Sequence, residues 1–244
     1  MSFSVLYEHY DEINGSAYLP YADYLANCFL SADIEVKEVL DLGCGTGGIC
    51  AILAEKGFDM VGIDISVEML MEARERNAGK NTLLLCQDMR DFELYGTVQA
   101  VYSSFDSLNY ITSERDLEKV FLLVKNYLEK GGVFAFDVNT EYRYTQIYDG
   151  KSYVYEFGED VVIWRSAFNK ENLLCEFEID SFVHIPDEDI YERYGESQLQ
   201  MLHKPEVIHS LAEKCGFSLL SVSGGKGFDG CTEPEKEYYL FKRM

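Results

Sequence analysis

The sequence predicts an α/β fold in which seven strands form one mostly parallel sheet, and three observations lead to that prediction. Short apolar segments alternate with amphipathic helical patterns between residues 38 and 139. The first apolar segment ends in a glycine-rich turn, as a buried strand does before a helix. The alternation stops after residue 139 and returns at residue 205, so the intervening segment is predicted to be an insertion.

The composition restricts the partners and the compartment of the protein. Its 244 residues include 21 basic and 43 acidic side chains, and the resulting net charge of -22 opposes binding to nucleic acid or to anionic membranes. Its seven cysteines show no C-x-x-C spacing, which favours reduced thiols and argues against disulfides or a zinc site. We see no signal peptide at the N-terminus and no apolar run of the ~18 residues that a membrane span needs. We therefore expect a cytoplasmic protein without a metal.

The first predicted strand leads into a turn that is suited to binding a ligand. The apolar segment 39–42 is followed by Gly43, Gly45 and Gly48, in G-x-G-x-x-G spacing. Glycine lets a ligand approach the backbone, and the N-terminus of the next helix presents free N–H groups. Asp41 stands near the strand end, where a nicotinamide-binding protein more often has an apolar residue.

The string 39–47 resembles the first motif of class I S-adenosylmethionine-dependent methyltransferases. The resemblance implies a Rossmann-like sheet with an antiparallel terminal strand, and S-adenosylmethionine as the cofactor. It places Asp41 near the methionine ammonium of the cofactor, and it places Gly43, Cys44 and Gly45 under the ribose and the carboxypropyl chain. The segment 128–132 resembles the turn that leads into strand five of the same family.

Asp64 follows the predicted second strand, 58–63, and lies 21 residues after Gly43. An acid at this place can accept hydrogen bonds from both ribose hydroxyls of an adenine nucleoside. Nicotinamide enzymes share this spacing, so it supports the nucleoside more than any reaction. We include the neighbouring Ile65 and Met69 among the cofactor contacts.

The third predicted strand, 82–86, leads into Gln87, Asp88 and Met89. In the methyltransferases that the chain resembles, an acid at this place binds the adenine amino group and its neighbours flank the ring. The resemblance gives Asp88 the first role, and it gives Gln87 and Met89 the second. Nicotinamide enzymes have no such acidic partner after the third strand.

The fourth predicted strand, 98–103, opens into a polar loop at the carboxyl edge of the sheet, where ligands of α/β proteins bind. The loop resembles the fourth methyltransferase motif, whose residues flank the transferred methyl group. Ser104 is then a cofactor contact, Asp106 and Asn109 are candidate catalytic residues, and Tyr110 is a candidate substrate contact.

The flanking segments supply a further candidate and several helices. Tyr7 and the pair Tyr10-Asp11 resemble a Tyr-Asp element that folds over the cofactor pocket in small-molecule methyltransferases, so Tyr10 is a third candidate catalytic residue.

We expect a helix over about 18–30, an amphipathic helix from Ser113 that Gly131 and Gly132 terminate, and a fifth strand over 133–138.

Residues 140–202 show a period of two, which indicates antiparallel strands. We predict a β-rich lid over the carboxyl ends of the parallel strands, inserted into a core of residues 1–139 and 203–244. Tyr194, Glu196, Gln198 and Gln200 would share one face of a lid strand, a polar strip that could contact the substrate. The aromatic composition of the insertion, which includes Trp164 and Phe168, suits an apolar pocket. Family members often carry a His-x-x-Arg string here, and its absence leaves a histidine base unsupported.

These features predict an S-adenosylmethionine-dependent methyltransferase that acts on a nitrogen or oxygen of a small molecule. One alternative is the methylation of a modified tRNA nucleoside. Another is a nicotinamide-dependent oxidoreductase, and a third is a regulator that binds the cofactor without catalysis. The identity of the acceptor, the need for a general base and the oligomeric state stay open.

Overall fold

The structure, a computed structural model, describes residues 6–186, 190–225 and 234–244. The first half contains α1 (Leu6–Phe29), β1 (Glu38–Leu42), α2 (Gly48–Glu55), β2 (Asp59–Asp64), α3 (Val67–Arg76), β3 (Thr82–Cys86), β4 (Val98–Ser103), α4 (Glu114–Tyr127) and β5 (Leu128–Asn139). The second half contains β6 (Lys151–Phe157), β7 (Asp160–Asn169), β8 (Leu174–Ile185), β9 (Ile190–Met201), α5 (Pro205–Lys214), β10 (Phe217–Gly225) and β11 (Lys236–Arg243).

The seven-stranded sheet has the order β10-β11-β5-β4-β1-β2-β3. Strands β1 to β5 are parallel, whereas β11 is antiparallel to both β5 and β10. The helices α1 and α2 pack on one face of the sheet, and α4 and α5 pack on the other. The predicted Rossmann-like fold is confirmed, and its topology brings the carboxyl ends of β1, β2 and β4 to one edge.

A second sheet contains β6, β7, β8 and β9 in sequence order, and each neighbouring pair is antiparallel. A short π-helical segment, Arg143–Tyr148, joins it to β5. The predicted alternation holds along the middle of β8, where Cys175, Phe177 and Ile179 are buried and the glutamates between them are exposed. The insertion after the fifth strand is therefore a β-sheet, as the sequence predicts.

Three element bounds differ from the sequence-based expectations. Helix α1 starts at Leu6 rather than near residue 18, and it contains Pro20. Strand β2 covers Asp59–Asp64 rather than 58–63. The side chain of Tyr7 lies outside the described part of the chain.

The third difference concerns the end of α4. The helix stops at Tyr127, and β5 already begins at Leu128, so Gly131 and Gly132 lie within the strand. A β-bulge shifts the register between β4 and β5 at this point. A Cβ atom on Gly132 would come within 2.5 Å of the carbonyl oxygen of Gln99, so close packing in the sheet requires this glycine.

Candidate functional site

A cavity of about 350 Å³ lies between the carboxyl edge of the parallel strands and the second sheet. Tyr10 from α1, Gly43 and Gly45 from the turn after β1, and Asp64 at the end of β2 contribute to its wall. The opposite wall comes from β6, β7, β8 and β9. The insertion thus faces the glycine turn.

The glycine turn has a backbone that other residues adopt with strain. The φ angles of Gly43 and Gly45 are +84° and +53°. A Cβ atom on Gly43 would lie 2.8 Å from Ser107 Oγ, whereas one on Gly45 would meet the Tyr10 ring only at 3.9 Å. Gly43 is therefore required by packing, and the surface above Gly45 is open to a ligand.

Asp64 holds the turn and keeps free acceptor positions. Its Oδ2 accepts a hydrogen bond from the backbone N–H of Gly45 at 2.8 Å, and its Oδ1 accepts one from Ser66 at 2.9 Å. Burial raises the pKa of this carboxyl, and the backbone donors partly offset that effect. Each carboxylate oxygen can accept a second hydrogen bond, so two neighbouring hydroxyls of a ligand can still be bound.

Asp41 is almost fully buried, and its carboxylate is only partly satisfied. Oδ2 accepts hydrogen bonds from the Tyr102 hydroxyl at 2.6 Å and from the Cys50 thiol at 3.3 Å. Oδ1 has no hydrogen-bond partner among the described residues. Burial raises the pKa of Asp41 to about 7, although its two donors oppose the shift. A small second cavity touches Asp41, Cys44 and Ser104, and a cationic amine there would satisfy the orphaned oxygen.

The remaining predicted cofactor residues line the main cavity. Ile65, Met69, Gln87, Asp88 and Met89 are all in its wall. The guanidinium of Arg90 donates from Nε to Asp88 Oδ1 at 2.9 Å and holds the pKa of this carboxyl below its usual range. Asp88 is therefore an ionised acceptor just after β3 that is already paired with Arg90.

Asp106 projects a fixed carboxylate into the same cavity. Its Oδ1 accepts a hydrogen bond from Lys236 Nζ at 2.7 Å, and its Oδ2 accepts one from Gln200 Nε2 at 2.7 Å. Burial alone would raise the pKa of Asp106, but the charges of Lys236 and Arg143 outweigh it and lower the pKa. Asp106 is thus a weak base and a strong hydrogen-bond acceptor.

Asn109 lies next to the cavity but does not line it. Its Nδ2 donates to the carbonyl oxygen of Met201 at 2.8 Å, and its Oδ1 accepts from the backbone N–H of Asn139 at 3.0 Å. The side chain is fully buried and connects the core to the last lid strand. A catalytic role for Asn109 stays a prediction, and the contacts shown are structural.

The predicted substrate residues have different positions. Tyr110 lines the cavity, and its hydroxyl donates to Gln198 Oε1 at 2.7 Å. Gln198 is buried behind Tyr110, whereas Tyr194 and Glu196 continue the same face of β9 away from the cavity. Their role in substrate binding stays a prediction.

Strands β6, β7 and β8 and the segment before them supply a wall of which the sequence analysis named only Trp164. These cavity-lining side chains alternate along β6, β7 and β8 or lie in the π-helical segment: Arg143, Tyr148, Tyr153, Tyr155, Trp164, Ser166 and Phe177. Side chains that alternate between the two faces of a strand in 151–157 and 160–169 are the sequence signal that could have predicted most of these lining residues.

The comparisons with known proteins agree with this geometry. A family model described as a methyltransferase domain matches residues 39–132. A putative methyltransferase of Bacillus subtilis (strain 168), YqeM, is 31% identical over 217 residues, which are 88% of this chain and 85% of that protein. The chain belongs to the S-adenosylmethionine-dependent methyltransferases.

A solved structure supports the assignment over the whole fold. The methyltransferase resembles an S-adenosylmethionine-dependent methyltransferase from Clostridium acetobutylicum ATCC 824 with a TM-score of 0.85 and 27% identity, over 97% of this chain and 96% of that chain. A further relative, a dTDP-3-amino-3,4,6-trideoxy-alpha-D-glucopyranose N,N-dimethyltransferase of Streptomyces venezuelae, is 33% identical over 123 residues, half of each chain. The prediction of S-adenosylmethionine as the cofactor is confirmed, and the oxidoreductase alternative has no support.

The histidines of the methyltransferase lie outside the cavity wall. His203 is buried with Nε2 at 3.0 Å from the carbonyl oxygen of Leu108, and burial lowers its pKa. His184 pairs with Glu159 in the lid. His9 stacks on Phe157 and does not line the cavity. Among the described residues we therefore find no histidine at the site, and no cluster that could hold a metal ion. The described part of the chain also lacks a helix that could cross a membrane.

Proposed function

We propose that this methyltransferase transfers the methyl group of S-adenosylmethionine to an amine nitrogen of a small molecule. One observation carries the proposal: the Asp106 carboxylate is fixed in a cavity that the glycine turn and an aromatic lid share. In this proposal residues 140–202 act as the lid, and residues 1–139 and 203–244 form the core.

The cofactor roles follow from the open acceptors in the cavity wall. Asp41, in the wall of the small second cavity, receives the methionine ammonium at its unpartnered Oδ1, and Asp64, in the wall of the main cavity, receives the ribose hydroxyls. Asp88 accepts from the adenine amino group, between the side chains of Gln87 and Met89. S-adenosylmethionine supplies the electrophilic methyl group, so the protein itself has to align and desolvate the acceptor.

The acceptor site is suited to an amine that becomes cationic during the reaction. The aromatic side chains of Tyr148, Tyr155 and Trp164 line the cavity, and aromatic rings attract cations. Three acids, Asp106, Asp137 and Glu235, form ion pairs with two bases, Lys236 and Arg143. This cluster therefore has one negative charge in excess. A neutral amine attacks through its own lone pair, so Asp106 serves to orient the N–H and to stabilise the ammonium formed.

The relatives support a nitrogen acceptor. The Streptomyces venezuelae relative is named as an N,N-dimethyltransferase of an amino sugar. It matches about half of this chain, so its acceptor suggests the reacting group rather than the whole substrate.

Tyr10 and Tyr110 line the cavity near Asp106, and burial raises the pKa of both hydroxyls, which keeps them neutral as hydrogen-bond donors.

The same proposal places the reaction away from polymers and membranes. The net charge of -22 counts against RNA, DNA and anionic lipid as substrates. The six described cysteines are free thiols, which supports a reducing cytoplasm as the place of action.

A labelled-methyl experiment tests the proposed function. The protein is incubated with S-adenosylmethionine carrying a deuterated methyl group, together with either a low-molecular-weight extract of the source cells or their RNA. We expect label in a small amine, with the deuterated methyl located on nitrogen by fragmentation in the mass spectrometer, and no label when excess S-adenosylhomocysteine is present. Label found only in RNA nucleosides, or on oxygen, would contradict the proposal.

A further inference from the structure

The loop that presents Asp106 has a backbone conformation that needs external support. Phe105 and Asp106 both have a positive φ, 52° and 56°, although neither is glycine. Non-glycine residues adopt this left-handed conformation at a cost, and they keep it where neighbouring groups enforce it. The groups that enforce it here come from distant parts of the chain.

Asp137 on β5 holds the backbone of the loop. Its Oδ1 accepts hydrogen bonds from the N–H of Phe105 at 2.8 Å and from the Tyr21 hydroxyl at 2.6 Å. Its Oδ2 accepts from the N–H of Asp106 at 2.9 Å. Asp137 is completely buried, so these bonds form without competition from water.

Lys236 on β11 connects the two acids. Its Nζ donates to Asp137 Oδ2 and to Asp106 Oδ1, each at 2.7 Å. The same Nζ lies 5.7 Å from the centre of the Phe105 ring. One buried ammonium therefore braces both the backbone and the side chain of the loop.

Gln200 fixes the other oxygen of Asp106. Its Oε1 accepts from Asn139 Nδ2 at 3.1 Å and from the Tyr144 hydroxyl at 3.0 Å, so its Nε2 must face Asp106. Each Asp106 oxygen then has one donor from the protein and one further acceptor position.

We propose that Lys236 and Asp137 are positioning residues that hold the Asp106 carboxylate beside the position of the transferred methyl group, where it attracts the cationic centre. The proposal rests on the proposed function and adds the residues that organise it. The cationic groups concerned are the sulfonium of the cofactor and the ammonium of the methylated acceptor.

A change at Lys236 has a consequence that a merely structural lysine would not have. Without the ammonium, the buried Asp106 and Asp137 repel each other, and the pKa of Asp106 rises because the strongest of the interactions that oppose burial is lost. The titratable or charged groups around Asp106 are Lys236, Asp137, Arg143, Tyr10, Tyr110, Tyr144, Tyr148 and Tyr238.

Sinefungin tests this inference without knowledge of the acceptor. It is an analogue of the cofactor in which a carbon bearing an amino group replaces the sulfonium and its methyl, whereas S-adenosylhomocysteine has a neutral sulfur and no methyl. The ratio of the two affinities therefore reports the electrostatic environment at the methyl position. The ammonium at Asp41 is common to both ligands, so its own pH dependence cancels in the ratio.

We expect the parent protein to prefer sinefungin by a factor that is constant between about pH 5.5 and about pH 7.5 in calorimetry, where the added amine is charged. In Lys236→Met the preference should fall as the pH is lowered, by up to about tenfold for each pH unit below the raised pKa of Asp106. Lys236→Arg should restore the constant preference. Lys242→Met is the matched control, because Lys242 lies on the same strand and pairs with the exposed Asp33.

A folded Lys236→Met variant with the parent's ratio at every pH would overturn the inference. If this variant does not fold, Lys236→Gln, which keeps one donor but no charge, gives the same two outcomes. Asp106→Asn should lose the preference at all pH values, and an unchanged ratio there would also overturn the inference. The labelled-methyl experiment reports separately on the acceptor, so each proposal can fail by itself.

Discussion

Asp41 combines a favourable role in binding with a cost to the folded state. Its Oδ1 is buried without a partner in the described residues, and burial raises its pKa to about 7. An unfolded aspartate has a pKa of about 3.9. Between these values the unfolded chain has released a proton that the folded protein retains, so the free energy of unfolding falls as the pH rises through about 4 to 7.

The substitution Asp41→Asn should therefore stabilise the ligand-free protein and weaken cofactor binding. Removing the buried charge should raise the free energy of unfolding by roughly 1–3 kcal/mol at about pH 8, with little gain at about pH 4. Thermal denaturation at both pH values, with and without S-adenosylhomocysteine, measures the two effects. Asp33→Asn at an exposed position is the control. Equal gains at both pH values would show that the charge is not the cause.

Asp64 should contribute more to ligand binding than Asp59, the other acid of β2. Asp64→Ala removes the acceptor for the ribose hydroxyls and for the N–H groups of Gly45 and Ser66. We expect a loss of roughly 1–3 kcal/mol in the binding of S-adenosylhomocysteine by calorimetry. Asp59→Ala at the other end of β2 should bind like the parent. Unchanged affinity in Asp64→Ala would remove Asp64 from the site.

Residues at strand ends could be predicted from the sequence, and the residues that brace them could not. Asp41, Asp64 and Asp88 each stand within or just after an apolar segment, so local pattern places them at the ligand edge. Lys236 has no such signal, because its partners Asp137 and Asp106 are 99 and 130 positions away. Only the pairing of β11 with β5 brings them together.

At the scale of elements, the lid sheet separates two kinds of side chain. One face of β6 and β7 presents Tyr153, Tyr155 and Trp164 to the cavity, and the other presents residues such as Val154, which is exposed. The sequence predicted strands here and Trp164 as a pocket residue, but not that Tyr153 and Tyr155 line the cavity, because that depends on how the sheet packs over the core.

The substitution Trp164→Leu should weaken acceptor binding and spare the cofactor. It removes an aromatic face from the cavity, which is worth roughly 0.5–2 kcal/mol to a cationic amine. The labelled-methyl experiment should show reduced transfer, while calorimetry with S-adenosylhomocysteine should match the parent. Val154→Ala on the outer face is the control. A variant that loses affinity for S-adenosylhomocysteine but keeps transfer would exclude an acceptor role for this wall.

At the scale of the whole molecule, contacts between distant segments hold the second sheet against the large sheet and α1. Asn109 holds the backbone of Met201, and Gln200 donates to Asp106. On the other side, His9 from α1 stacks on Phe157 with ring centroids 4.3 Å apart, and its Nε2 lies 3.1 Å from Asp160 Oδ2. We expect ligand exchange to open some of these contacts.

The His9 contact is the best candidate for that opening, because it joins two peripheral segments. His9→Ala should speed the dissociation of S-adenosylhomocysteine up to about tenfold, since an aromatic pair is worth roughly 0.5–1.5 kcal/mol. Stopped-flow fluorescence of Trp164, the single tryptophan, measures this rate. Lys56→Ala, which removes an ion pair between α2 and Asp23 on α1, is the control. Equal rates in the parent and both variants would place the opening elsewhere.

The mostly parallel large sheet and the inserted antiparallel sheet could be predicted, because both follow from where strand–helix alternation holds and where it stops in the sequence. The length of α1 and the bulge at Gly132 could not, because each is set by contacts with distant residues.

A crystal structure with bound S-adenosylhomocysteine tests the central claim most directly. We expect the ligand ammonium within hydrogen-bond distance of Asp41 Oδ1, the ribose hydroxyls on Asp64, the adenine amino group on Asp88, and the sulfur facing Asp106 across the lid cavity. A sulfur that points away from Asp106, toward solvent or into the sheet, would contradict the proposal that the acceptor amine binds beneath the lid.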